Sequence, residues 1–214
     1  DGIYVINANN GNIKEEVEVG TGPTEMLVYK DLAFVCNTGA FLKDSTVSIL
    51  RTTEDTLVTN LAVGVKPNSM VIDAENNLWV LGAGEVDVNN PFASGLGTLF
   101  RYQLDTLTMA IDSGFAIVPD TVMYFTDNLL KPHSLTINRE GNQLFYIGNS
   151  PTGSIFSMST FDKKVEETPM ITGNYYTLTF DALELELYAT RLPDDVENDG
   201  DLQVYSPSGN LKTS

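Results

Sequence analysis

The chain has 214 residues, 42% of them hydrophobic, and 12 basic against 29 acidic side chains give it a formal charge of −17. This is a globular composition and not a disordered one. The negative field excludes nucleic acid and disfavours anionic membrane surfaces, and leaves cations, neutral ligands and basic proteins open as partners.

The sequence opens on DGIYVI, a strand already under way, and continues to EEVEVG (Glu15 to Gly20). This predicts half a repeat unit at 1–20, with further units and any export signal upstream. A turn-and-strand motif then recurs as GPTEMLV (Gly22 to Val28), KPNSMVI (Lys66 to Ile72) and KPHSLTI (Lys131 to Ile137). Each copy precedes a second apolar run: LAFVCN, LWVLG and LFYIG. A fourth pair without the proline is YYTLTFD (Tyr175 to Asp181) with LYATR (Leu187 to Arg191). A third element recurs five times, with Ile3, Val47, Leu99, Ile155 and Leu202 aligned at spacings of 44, 52, 56 and 47.

Four short strands in a unit of about 45 residues define the blade of a β-propeller. A lone blade cannot bury both faces, so blades stack around an axis, which explains near-continuous apolar runs such as MLVY and LWVL. The expected fold is all-β: four-stranded antiparallel blades at 1–20 (half), 21–64, 65–112, 131–170 and 174–214, the last strand cut. That is about 4.5 blades of a seven-bladed ring. No segment shows a convincing helical period with caps. Cys36 is the only cysteine, so no internal disulfide forms, and no apolar run reaches membrane-span length.

The GTGP unit, VGVKPNSM, STVSIL, and the longer stretches KPNSMVIDAENNLWVLGAG, GTLFRYQLDTLTM and GDLQVYSPSGNL resemble the YncE-like (YVTN-repeat) propellers, in particular a Bacteroidetes surface-lipoprotein branch. The resemblance runs over essentially the whole chain. It implies a seven-bladed, exported protein of the outer-membrane surface or periplasm, with a lipid anchor on the part preceding this chain. It also implies an accessory role beside TonB-dependent nutrient uptake; one relative captures cobalamin and does no chemistry on it.

Antiparallel strands put the b-to-c loop and the d-to-a crossing of each blade at one end, where the inner strands begin. The candidate rim there is Thr24 and Glu25, Asn68 and Ser69, His133 and Ser134, and Tyr175 and Tyr176. Phe92 on a long b-to-c loop, Tyr124 on the excursion from Ser113 to Leu130, and Arg191 complete it. Apolar scaffold repeating beneath a varying rim is the pattern of a binding surface on a rigid frame. The competing reading is that loops simply tolerate insertion.

His133 is the only histidine and the one candidate for a general acid or base; a polar rim residue without catalysis is the favoured reading, because a base also needs a positioned partner. Asp195, Glu197, Asp199 and Asp201 around Gly200 echo the start of a calcium loop, but Ser206 stands at the closing twelfth position. A solvated acidic hairpin is favoured there, with no cofactor expected and calcium left open. Trp79 and Cys36 read as core. The functional expectation is a non-enzymatic propeller binding a small molecule, glycan or peptide, or docking an outer-membrane transporter. The alternatives are a metal-assisted lyase or hydrolase using His133 and a pure protein-docking platform.

Overall fold

The structure is a computed structural model that describes residues 1–40, 42–85, 89, 95–149, 153–193 and 199–213. Strands β1 (Gly2–Ile6) and β2 (Ile13–Glu18) form a two-stranded half-blade. A complete blade follows: β3 (Pro23–Tyr29), β4 (Leu32–Asn37), β5 (Thr46–Arg51) and β6 (Thr56–Ala62), each strand pairing antiparallel with the next. The next blade has β7 (Pro67–Ile72), β8 (Asn77–Gly82), β9 (Thr98–Gln103) and β10 (Thr121–Tyr124). The fourth has β11 (His133–Ile137), β12 (Gln143–Gly148) and β13 (Ser154–Ser159), and the fifth β14 (Tyr175–Asp181), β15 (Glu186–Arg191), β16 (Asp201–Tyr205) and β17 (Leu211–Thr213). The first strands β3, β7, β11 and β14 contact one another in sequence, so they form the inner wall.

The period-two alternation of a strand explains how the sheets stack, because here both faces are buried. On β4, Ala33 and Val35 join Val17 in the seam with the half-blade, while Phe34 and Cys36 face the next blade's Leu78 and Val80. On β8, Trp79 and Leu81 then turn to Leu144, Tyr146 and Phe156 of the fourth blade. Phe145 and Ile147 pass the pattern on to Leu187 and Ala189. Trp79 and Cys36 are fully buried, as the sequence predicts. Gly20 and Gly64, at the crossings between blades, are fixed by close approach: a Cβ on either would overlap the side chain of Asn37 or of Thr98.

Three features depart from the sequence reading. First, a helix, α1 (Leu104–Ser113), stands where the unit expected at 65–112 was to finish, so its outer strand is β10 and that blade runs past residue 112. Its N-terminus is capped by Gln103, whose side chain accepts from the Thr106 N–H, and Gly114 closes it at φ 69°. Leu104, Leu107 and Ala110 bury one stripe, and Asp112 bonds Arg51 of the preceding blade at 2.9 Å. A Gln cap and three β-branched residues are weak helix signals; tertiary burial decides the segment. Second, the fourth blade has no outer strand among the described residues; only a bridge of Ile155 with Ile171 stands in its place. The chain there detours to bury Val165 in the seam with the third blade. Third, the last blade does carry a short outer strand, β17, paired with β16.

Candidate ligand-binding mouth

Register fixes which residues share the mouth. Pro23 pairs with Asn37, Asn37 with Thr46, and Thr46 with Ala62, so all four strands of that blade have their mouth ends level. The equivalent set in the next blade is Pro67, Gly82, Thr98 and Tyr124. In the last blade Tyr175 pairs with Arg191, so Tyr175 occupies the proline place. The aligned rim pair is therefore Tyr176 with Thr177, one residue later than the sequence alignment had it. Tyr175 is buried, with its hydroxyl donating to Gln203 and bonded to Tyr205, and burial pushes that phenol upward. Tyr176 is 63% exposed.

Every inner strand carries one extra residue at this end. The pairing slips at Thr24 (between Pro23 and Glu25), at Asn68 (between Pro67 and Ser69) and at Tyr176 (between Tyr175 and Thr177). On β11 the slip has moved: His133 pairs with Ile147 and Thr136 with Phe145, so Ser134 and Leu135 share the place opposite Tyr146. Ser134 takes φ 55°, a left-handed conformation costly for a non-glycine residue. Bulges re-aim side chains, and they gather beside functional sites.

The residues after the bulges lock adjacent blades. Glu25 accepts from the Met70 N–H at 3.1 Å, and desolvation raises its carboxyl above the usual range. Ser69, 2% exposed, accepts from the Leu135 N–H at 3.0 Å and donates to Asn68 Oδ1. Asn68 Nδ2 donates to the carbonyl of Pro132 at 2.9 Å. Lys131 sends its ammonium to the carbonyls of Glu85 and Gly95, and burial lowers its pKa. Ser69 and Glu25 are thus fasteners between blades more than free rim groups, whereas Thr24 and Tyr176 are open to solvent.

His133 is half-buried between Ser134 Oγ, 3.0 Å from Nδ1, and Asn149 Oδ1, 3.3 Å from Nε2. Burial lowers its pKa, partly offset by the Asn149 bond. Asn149 was not singled out in the sequence; its place immediately after β12, on a b-to-c loop of the mouth end, is the signal that could have found it.

The other expected site residues lie apart. Tyr124 is exposed but ends the outermost strand β10, far out along its blade, and Phe125 is core. The sequence had put both on a crossing loop; the helix insertion displaced the outer strand into that stretch. Arg191 pairs with Asp201 at 4.0 Å, and Asp201 also accepts from Gln203 Nε2 at 2.7 Å. Asp199 is exposed. Phe92, Asp195 and Glu197 lie outside the described residues, and among those described no three His, Cys, Asp or Glu side chains gather as metal ligands.

Four-stranded blades stacked face to face around an inner wall make this chain a β-propeller with a polar, bulged mouth. No protein-family model matches the sequence, and no curated protein does. Among solved structures the chain is similar to Kuenenia stuttgartiensis hydrazine synthase (TM-score 0.73, 14% identity, 98% of this chain and 58% of that one). It is also similar to a Bacteroides thetaiotaomicron structural genomics protein of unknown function (TM-score 0.59, 11% identity, 89% of this chain and 42% of that one). At those identities the likeness is one of fold. The chain spans 58% and 42% of the two proteins' lengths.

Proposed function

We propose that the chain is the ligand-binding part of an exported YncE-like propeller, capturing a small neutral or cationic molecule, a glycan or a peptide at its axial mouth. The observation that carries this reading is the displaced residue on each inner strand at one end. Thr24, Asn68, Ser134 and Tyr176 differ in chemistry while the fasteners and seams beside them repeat. A rigid frame with a variable polar opening supplies orientation at low entropic cost. The charge of −17 favours ligands that are not anionic.

The finer reading places the protein at the bacterial outer-membrane surface or in the periplasm as an accessory to a TonB-dependent transporter, in line with the sequence resemblance. Calorimetry of this chain against neutral oligosaccharides, short peptides and cobalamin tests it. Binding by one class, weakened at least tenfold in Tyr176→Ala and Asn68→Ala, supports capture at the mouth. Silence from all three classes, or binding indifferent to both substitutions, removes it. Calcium enters as a subsidiary proposal at Asp195, Glu197, Asp199 and Asp201, and a calcium-dependent rise in Tm that is lost in Asp199→Asn would establish it.

A further inference from the structure

We propose that Ser134 is a nucleophile activated by His133, giving the mouth an acyl-transfer activity toward neutral or cationic carboxylic esters. The geometry fixes the roles. Asn149 Oδ1 can only accept, so Nε2 of His133 carries the proton and Nδ1 is left as an acceptor. The Ser134 hydroxyl, 3.0 Å away, then donates to Nδ1. This is the order nucleophile, base, positioning group that recurs in unrelated serine and cysteine enzymes. Burial holds the imidazole neutral near pH 7, the form that can take a proton.

A second, independent observation is the backbone. Lys66 and Lys131 are both left-handed just before the prolines of their blades, so that strain belongs to the repeat. The strain at Ser134 does not: among the described inner strands no other residue at the equivalent place has positive φ, and the bulge has shifted by one residue only here. Strained residues persist where the surroundings over-determine them, often at reactive positions. On the preceding inner strand, Asn68 bonds the carbonyl of Pro132, next in the chain to His133, at 2.9 Å.

In the step itself, Ser134 Oγ bonds to the carbonyl carbon of the ester while its proton passes to His133 Nδ1. The bond to the leaving alcohol breaks, and the alcohol takes that proton. Water then attacks the acyl-serine, with His133 again accepting and returning a proton, releasing the acid and restoring the hydroxyl. Ester and water are consumed; acid and alcohol are formed.

The test uses the 214-residue chain with a fluorophosphonate probe, read by peptide mass spectrometry, and with p-nitrophenyl acetate. Labelling at Ser134 in the folded protein, absent after urea unfolding, is expected. The rate should fall on the order of 100-fold in His133→Gln. Ser134→Gly, which accepts the left-handed backbone and keeps the fold, should abolish both labelling and turnover. Asn149→Ala should slow acylation, and Asn149→Asp, which keeps the acceptor, should restore it; a merely structural role would show no such rescue. A folded protein whose Ser134 stays unlabelled, or is labelled equally in His133→Gln, overturns the proposal. Because these readouts need no captured nutrient, their failure is distinct from failure of the binding reading.

Discussion

The inner strands of the third and fourth blades begin with nearly the same words, KPNS and KPHS, and put them to opposite use. In the third blade the bulge falls on Asn68, and the buried Ser69 hydroxyl accepts from the Leu135 N–H across the seam while donating to Asn68 beside it. In the fourth the bulge has moved onto Ser134, whose hydroxyl turns to the neighbouring imidazole while its backbone is forced left-handed. The same serine is a fastener in one wedge and a strained, half-buried partner of an imidazole in the next. One residue of register is enough to change a structural group into a chemical one.

The contrast extends to the turn that closes each inner hairpin, and there it is sharpest. The buried Asp73 carboxylate accepts from the backbone N–H of Glu75 and of Asn77, from the Asn77 amide and from the indole of Trp79 at 2.8 Å. In the fourth blade Asn138 does a lesser version, accepting from the N–H groups of Asn142 and Gln143. Asp73→Ala strands several buried donors and should destabilise the chain by about 3–4 kcal/mol. Asn138→Ala should cost about 1 kcal/mol, a difference that urea unfolding followed by Trp79 fluorescence would measure. Equal costs would break the contrast.

Next in size, Ser69→Ala leaves the Leu135 N–H without its acceptor and should cost about 1–2 kcal/mol in the same assay. Ser134→Gly goes the other way, relieving the left-handed backbone, and should stabilise by roughly 1 kcal/mol less the added entropy of glycine. If both serine changes destabilise alike, Ser134 is a second fastener.

The smallest effect concerns Glu25, the carboxylate in the fastener position of the second blade. Its folded pKa is raised by burial, so the protonated form is favoured in the native state. Its contribution to stability is therefore fullest below its unfolded pKa, and is lost as pH rises through the higher folded value. Glu25→Gln keeps an oxygen for the Met70 N–H and should flatten that decline by a few tenths of a kcal/mol. Thermal melts from pH 4 to pH 8 would read it.

Much of the fold was legible because the second strands of the middle blades are buried on both faces. Phe34, Trp79 and Phe145 fall in unbroken apolar runs that no half-exposed strand would carry, and the repeat of those runs fixes the stacking. What escaped detection depends on tertiary context. Helix α1 has a Gln cap and two threonines in its first five residues, and only the seam that takes Leu104 and Leu107 makes it helical. The strand β14 lacks the proline that marks the other copies, so only its pairing with Arg191 places Tyr175 in the proline site. The partner of His133 lies 16 residues away across a hairpin, so Asn149 came into view only when β11 and β12 were paired.

The alternate sorting of side chains into two seams has a consequence for how such a chain can change length. A residue gained inside β4 or β8 would send Phe34 or Trp79 into the wrong seam, and every residue beyond it as well. Residues gained between strands cost the seams nothing. The uneven spacing of the third strand, 44, 52, 56 and 47 residues from copy to copy, is the trace of that asymmetry: growth has been confined to the connections, among them the one that became α1, while the seams have stayed in phase.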